Sequence, residues 1–300
     1  MTVRNGFGTP YTTLIAASHN GRIGDLRPRL FSIILSDKAA EQKDWEIQEI
    51  AIEGPNSNIR IMGLACNGSD LLVVAGSSEQ GYLATFDDNL LQTGWYELPG
   101  VCDPHGLVLN EGRLLVISSG TNEVVEFAFD KKKPCFSKAF FRLESAEPQH
   151  LNGMVLHNRR LFVSALGVSG REAHEVSAKG YILDTFDGSL VRSGLDQPHS
   201  LVSHEGSLLF CESKTSTIWK NSVAIAKLSG YLRGLAISPQ NQMLFVGESS
   251  SRPPREALLF DRPDAKLWTI RPNGEVVSKI ELIGLGPEIH EILIFRPSRA

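Results

Sequence analysis

Five segments of the chain share one template: MGLACNGSDLLVV (62–74), HGLVLNEGRLLVI (105–117), NGMVLHNRRLFVS (152–164), HSLVSHEGSLLFC (199–211) and RGLAISPQNQMLFVG (233–247). Each opens on a polar or otherwise distinctive residue followed by Gly or Ser. An apolar strand follows, then a polar turn, then a second apolar strand. A partial sixth copy, HEILIF (290–295), lies near the C-terminus. The anchor positions Gly63, Gly106, Gly153, Ser200, Gly234 and Glu291 are spaced 43, 47, 47, 34 and 57 residues apart. A period in this range belongs to propeller blades rather than to the shorter solenoid repeats. Two more strand-like runs follow each full copy, such as GYLATFDD and GWYEL after the first. Each unit therefore holds four strands, a to d from the inside outward.

The last copy supplies only a strand a. The N-terminus supplies the rest of that unit: TTLIAAS as strand b, RLFSIIL as c and WEIQEIAI as d. A blade closed by both chain ends removes the open sheet edges that an unclosed ring would leave. A β-sandwich or a pair of small barrels predicts no matching strands at the two termini. The expected fold is all-β: one six-bladed β-propeller domain over residues 1–300, closed by N-terminal strands and a C-terminal strand.

Charge narrows the partners. The chain carries 30 Lys and Arg against 34 Asp and Glu, a formal net charge of −4. Its only cationic run, Lys131–Lys133, precedes Pro134 and reads as a solvated turn. Nucleic acid is therefore not expected as a partner. No apolar stretch is long enough for a signal h-region or a membrane span, so no membrane is expected either. Cys66, Cys102, Cys135 and Cys211 form no CxxC pair. Together these features predict a cytoplasmic protein with reduced thiols.

The blades point to a place. In a propeller the start of each strand a sits at one mouth of the central channel. The residue before each anchor is expected to project there, which selects Met62, His105, Asn152, His199, Arg233 and His290. The histidines occupy alternate blades. Three converging imidazoles suit one divalent transition metal with an open coordination position, so His105, His199 and His290 are the expected ligands. Asp103, Glu212, Glu248 and Glu291 are candidates to orient them. The b–c connections face the same mouth. They add Ser77–Glu79, Ser118–Asn122, Arg171–Glu175, Glu212 and Ser213, the stretch Glu248–Arg252, Arg255, and His19 with Asn20. Arg233, Arg252 and Arg255 are expected to clamp a carboxylate or phosphate. A polar pocket without metal, or a mouth filled with ordered water, is the competing expectation. Ser200 follows His199 directly, so the two point opposite ways on a regular strand, and no GxSxG elbow is present.

The blocks LNGMVLHNRRLFVSALG (151–167), GLDQPHSLVSHEGSLLF (194–210) and GYLRGLAISPQNQMLFVGESSSR (230–252), with Arg255 and Glu256 behind them, resemble the DUF4915 family of uncharacterised bacterial proteins. The resemblance is carried by the order and spacing of LNG, SAL, PHS and RGLA, and by the RE pair behind VG-S. HisGlu at 290–291 stands where the family pattern has an aromatic–Asp pair. The resemblance implies a propeller-like domain and no particular reaction. It adds emphasis to Asn152, His199, Ser200 and Arg233.

Two functions are expected from these residues. The first is binding of a small polar or anionic molecule at the mouth, with or without metal-assisted lyase, hydrolase or epimerase chemistry. His105, His199 and Glu212 would be catalytic. Asn152, Ser200, Arg233, Glu248, Arg252 and Arg255 would bind the ligand. The second is a non-catalytic interaction scaffold, with the proline-rich stretch 249–266 as a contact element.

Overall fold

Short apolar runs punctuated by Gly, Asn and Asp have one economical solution here, the antiparallel hairpin. The computed structural model describes residues 11–19, 28–36, 45–54, 59–130, 133–145, 147–167, 179–250 and 263–296. Among these, every element is a strand except a single 3₁₀ turn at Ser119–Thr121. The chain begins with β1 (Tyr11–His19), β2 (Pro28–Ser36) and β3 (Trp45–Ile50). The second blade is β4 (Arg60–Asn67), β5 (Asp70–Gly76), β6 (Gly81–Phe86) and β7 (Gln92–Leu98). The third is β8 (Pro104–Asn110), β9 (Arg113–Ser118), β10 (Glu123–Asp130) and β11 (Lys133–Arg142). The fourth is β12 (Leu151–His157), β13 (Arg160–Ala165), β14 (Gly180–Asp184) and β15 (Leu190–Leu195). The fifth is β16 (Pro198–His204), β17 (Ser207–Glu212), β18 (Thr217–Lys220) and β19 (Val223–Lys227). The sixth is β20 (Tyr231–Ile237), β21 (Leu244–Ser249), β22 (Lys266–Ile270) and β23 (Val276–Glu281), and β24 (Glu288–Phe295) follows.

The strands form six four-stranded antiparallel sheets. In one of them β24 pairs with β1, which continues to β2 and β3. The first blade is thus built from both ends of the chain, as the sequence predicts. The inner strands β4, β8, β12, β16, β20 and β24 each touch the inner strands before and after them, and β24 touches both β20 and β4. The ring is closed, and the fold is a six-bladed β-propeller.

Three of the inner hairpins turn on paired left-handed residues. Glu111 and Gly112 have φ of 49° and 73°, Asn158 and Arg159 51° and 64°, and Glu205 and Gly206 47° and 71°. Two successive positive φ values define the type I′ turn, whose twist matches that of the flanking strands.

The core lies between blades rather than inside any one of them. Period-2 alternation gives every strand two faces, and neighbouring blades bury both. On β1, Leu14 and Ala16 pack with Phe245, Leu267 and Ile289 on the side of the sixth blade. Ile15, between them, packs with Ile61, Leu71 and Phe86 of the second blade. The closing blade is therefore held by burial on both faces as well as by its β1–β24 ladder.

Candidate functional site at the channel mouth

Each of the six inner strands carries a β-bulge at its mouth end. Met62 is the extra residue between the pairs Ile61↔Ala75 and Gly63↔Val74. Asn152, Gly234 and His290 are the extra residues of β12, β20 and β24. In β8 the shift falls across His105 and Gly106, and in β16 across Ser200 and Leu201. A bulge releases one residue from the pleat and re-aims its side chain. Adjacent residues can then do unrelated work. His105 meets charges from across the ring, while the anchor behind it packs on the next blade.

That packing explains the glycine at two anchors, Gly63 and Gly234. A Cβ on Gly63 would lie 2.5 Å from the His105 carbonyl oxygen, and one on Gly234 would lie 2.9 Å from the Ile292 nitrogen. Where the anchor is not glycine, its side chain satisfies an inner-strand N–H. The Ser200 hydroxyl accepts from Gly234 N at 2.8 Å. The Glu291 carboxylate accepts from the N–H groups of Ile292 and Leu235. Burial nevertheless pushes the Glu291 carboxyl up to about 7, against the pull of those two donors.

A second ring stands above the first. The residues two places earlier are Arg60, Asp103, His150, Gln197, Tyr231 and Glu288. Asp103, His150 and Gln197 adopt left-handed backbone at φ 47°, 52° and 57°. One device holds all three, for the first residue after strand b donates its N–H to their carbonyls. The bonds are Ser119 to Asp103 and Leu166 to His150, both 3.2 Å, and Ser213 to Gln197, 3.1 Å. Of this ring only Asp103 is among the sequence candidates. The other five can be found in the same alignment by reading two positions before each strand-start residue, although strand alternation alone does not place them, because the backbone there is left-handed or bulged.

The histidines are not equivalent. His105 is 7% exposed and Asn152 is 8% exposed. His105 Nε2 and Asn152 Nδ2 are buried without a hydrogen-bond partner, while Asn152 Oδ1 accepts from Ser164 Oγ at 2.6 Å. Burial, and then His150, Arg233, His199 and His290, hold the His105 imidazole well below its usual range, so the ring is neutral. His105 and His150 meet edge to face at 4.7 Å. His199 Nδ1 lies 2.9 Å from the Gln197 carbonyl and 2.8 Å from Ser213 Oγ. The Ser213 hydroxyl donates to the Leu232 carbonyl at 2.5 Å, so His199 Nδ1 is the donor to both. The neutral His199 ring therefore has its lone pair on Nε2. His290 has the opposite tautomer. Arg233 donates to its Nδ1 at 3.1 Å, so Nε2 carries the proton, 3.9 Å from Glu288 Oε2.

His290 Nδ1 accepts from the Arg233 guanidinium. Among the described residues, the group whose potential ligand atoms all lie within 4.8 Å of one another is Asp103, His105 and His150. His199 and His290 are outside it.

Of the carboxylates expected beside the imidazoles, Asp103 lies next to His105, whereas Glu212 and Glu248 bond within their own blades. Glu212 accepts from Trp219 Nε1 at 2.9 Å and from Asp196 N at 2.8 Å. Glu248 accepts from Trp268 Nε1 at 2.7 Å, Ser229 Oγ at 3.0 Å and Lys266 Nζ at 3.3 Å. Each joins an indole of strand c to the connection that enters strand a. Glu212 and Glu248 thus position the loops ahead of His199 and Arg233. Arg233 also lies over the Tyr231 ring at 4.9 Å, and Tyr231 donates to Gln197 Oε1 at 2.5 Å. Arg252 and Arg255 lie outside the described residues, as do Asn20, Arg171–Glu175 and the side chain of His19.

Among the described residues, no helix is long and apolar enough to cross a membrane. None of the curated proteins compared matches the sequence. Several solved structures share the fold at low identity. A protein of unknown function from Bacteroides caccae is similar at 14% identity and TM-score 0.63, covering 96% of this chain and 100% of that one. The nidogen/laminin complex contains a chain similar at 10% identity and TM-score 0.63, with 94% and 97% covered. A catalytically inactive His-to-Ala variant of virginiamycin B lyase from Staphylococcus aureus, solved with quinupristin, is similar at 12% identity and TM-score 0.53, with 90% and 85% covered. These likenesses extend to the propeller fold alone. The family model described as a domain of unknown function, DUF4915, matches residues 60–295, the whole span from β4 to β24, and the chain therefore belongs to the DUF4915 family.

Proposed function

We propose that the channel mouth binds a small polar molecule through an anionic group, and that His105 and His199 act on it as acid–base residues. The observation that carries this reading is the pair of buried, unpartnered groups on adjacent blades, His105 Nε2 and Asn152 Nδ2. Each such group costs about 1–3 kcal/mol when left unsatisfied. A scaffold gains nothing from them, whereas a ligand that bonds to both recovers the loss. The sign of the ligand follows from the surroundings of His105, where Arg233 and three further imidazoles disfavour positive charge. An entering carboxylate or phosphate relieves that field. It also raises the affinity of His105 for a proton, which prepares an acid next to the bound group. His199, with its lone pair on Nε2, is suited to the role of base. The lyase neighbour, inactivated by one His-to-Ala substitution, gives a precedent for histidine-dependent chemistry on this architecture. The four cysteines are all unpaired, which fits a reducing compartment.

The test is a thermal-shift titration of purified protein against small carboxylates and phosphate monoesters, with Asn152→Leu in parallel. At least one anion should raise the Tm of the wild type saturably, and Asn152→Leu should weaken that anion about tenfold or more. The reading fails if no anion shifts the wild type, or if Asn152→Leu binds the same anion equally well.

A scaffold role has one feature in its favour, the exposed apolar trio Phe186, Leu190 and Val191 on the outer part of the fourth blade. Arg160 already lies over the Phe186 ring at 5.1 Å, which covers part of that surface.

A further inference from the structure

We propose that Asp103, His105 and His150 form a binding site for one divalent first-row transition metal ion at the channel mouth. The trio comes from two adjacent blades. Asp103 and His105 belong to the entry of β8, and His150 to the entry of β12. Two imidazoles and one carboxylate form a donor set typical of zinc, cobalt or iron(II), and unlike the all-oxygen sets of calcium and magnesium. A tetrahedral ion with bonds of about 2.1 Å holds its donor atoms about 3.4 Å apart. The three ligand atoms lie within 4.8 Å of one another, and His105 Nε2 stands 3.8 Å from Asp103 Oδ2. Small side-chain rotations close that difference.

An independent observation points to a ligand here. His105 Nε2 is buried and lacks a hydrogen-bond partner, although the Asp103 carboxylate lies just beyond bonding distance from it. A metal ion between them satisfies both. The supporting backbone is fixed as well, since the Asp103 and His150 carbonyls each accept an N–H from the end of strand b of their own blade. Three protein ligands leave a fourth position open, the arrangement of a catalytic rather than a structural centre. The inference rests on the ligand-binding reading and alters one role in it: an ion held by His105 Nε2 takes the place of a proton there, the Asp103 carboxylate offsets part of its charge, and the anionic group meets a second cation besides Arg233. It can nevertheless be tested without any organic ligand.

The experiment uses the full chain, stripped with a chelator and titrated with Co2+ alone, followed by calorimetry and by visible absorption of the bound ion. The wild type should bind one Co2+ per chain with a Kd at or below about 1 μM. His150→Gln and Asp103→Asn, each checked for folding by circular dichroism, should weaken binding at least about tenfold. His199→Gln should leave it unchanged. If a variant fails to fold, 15N NMR of the wild-type histidine rings with one equivalent of Zn2+ gives a second reading, in which two rings should shift. The proposal is overturned if the wild type shows no saturable binding below roughly 1 mM. Binding that survives both substitutions, or that depends on His199 as strongly as on His150, overturns it equally. Loss of the metal site would leave anion binding to be judged by its own titration, and the converse also holds.

Discussion

Replacing Glu291 with Gln should stabilise this protein, by an amount that grows with pH. The carboxyl sits at an anchor position where the sixth and first blades meet, and burial raises it from an ordinary 4.5 to about 7. Below 4.5 it is protonated in both the folded and the unfolded chain, and the substitution changes little. Between 4.5 and 7 the folded chain keeps a proton that the unfolded chain releases, so wild-type stability falls as pH rises. Above 7 the folded protein carries a buried charge and the cost is complete. Linkage gives a deficit of about 2 kcal/mol near pH 6 and about 3 kcal/mol near pH 8, relative to a side chain that does not titrate. Gln is close to an isostere of the protonated acid, and its carbonyl oxygen can still accept from Ile292 N and Leu235 N. All other titrating groups are common to both proteins and cancel. Urea denaturation at about pH 4, 6 and 8, with the m-value checked for constancy, measures the difference directly. A gap that stays flat across this range would refute the reasoning, and so would a wild type more stable than the variant near pH 8.

Two other perturbations test the architecture around the site. Gly63→Ala and Gly106→Ala change equivalent anchors, yet a Cβ would meet the His105 carbonyl oxygen at 2.5 Å in the first and nothing nearer than 3.5 Å in the second. Gly63→Ala should cost roughly 2 kcal/mol or more and Gly106→Ala less than about 1 kcal/mol, and equal costs by urea denaturation would show that the anchors do not pack as described. Glu212→Leu removes the acceptor of both Trp219 Nε1 and Asp196 N. It should destabilise by roughly 2–4 kcal/mol and Glu212→Gln by less, and an undiminished Tm in Glu212→Leu would leave the carboxylate without its positioning role.

Most of the fold was legible in the sequence because a blade is a local object. Its hairpins join residues close along the chain, and each copy repeats the same alternation and the same turn residues. Even the long-range β1–β24 pairing left a trace, since the last copy held one strand and the N-terminus held the three it lacked. The gathering of polar residues at one channel mouth was legible for the same reason. One alignment aligned His105, Asn152, His199, Arg233 and His290 at the start of their inner strands, and all five are buried at the channel mouth.

The work of each side chain was not legible, because it depends on neighbours from other blades. His199 and His290 occupy matching positions, yet Ser213 with the Gln197 carbonyl fixes one tautomer and Arg233 fixes the other. Glu212 and Glu248 stand at strand ends facing the mouth, where a carboxylate beside histidines suggests a catalytic partner. The indoles of Trp219 and Trp268 claim them instead, seven residues along the chain in one case and twenty in the other. His150 escaped notice because only the bulge and its left-handed backbone bring it beside His105. The sequence by itself determined six blades, their closure and the end of the channel that carries the polar residues, since all of these follow from periodicity within the chain. Only the tertiary structure decided which of those residues face one another, because in a ring of blades the groups that meet across the channel are separated by whole repeats, and no local pattern records their distance.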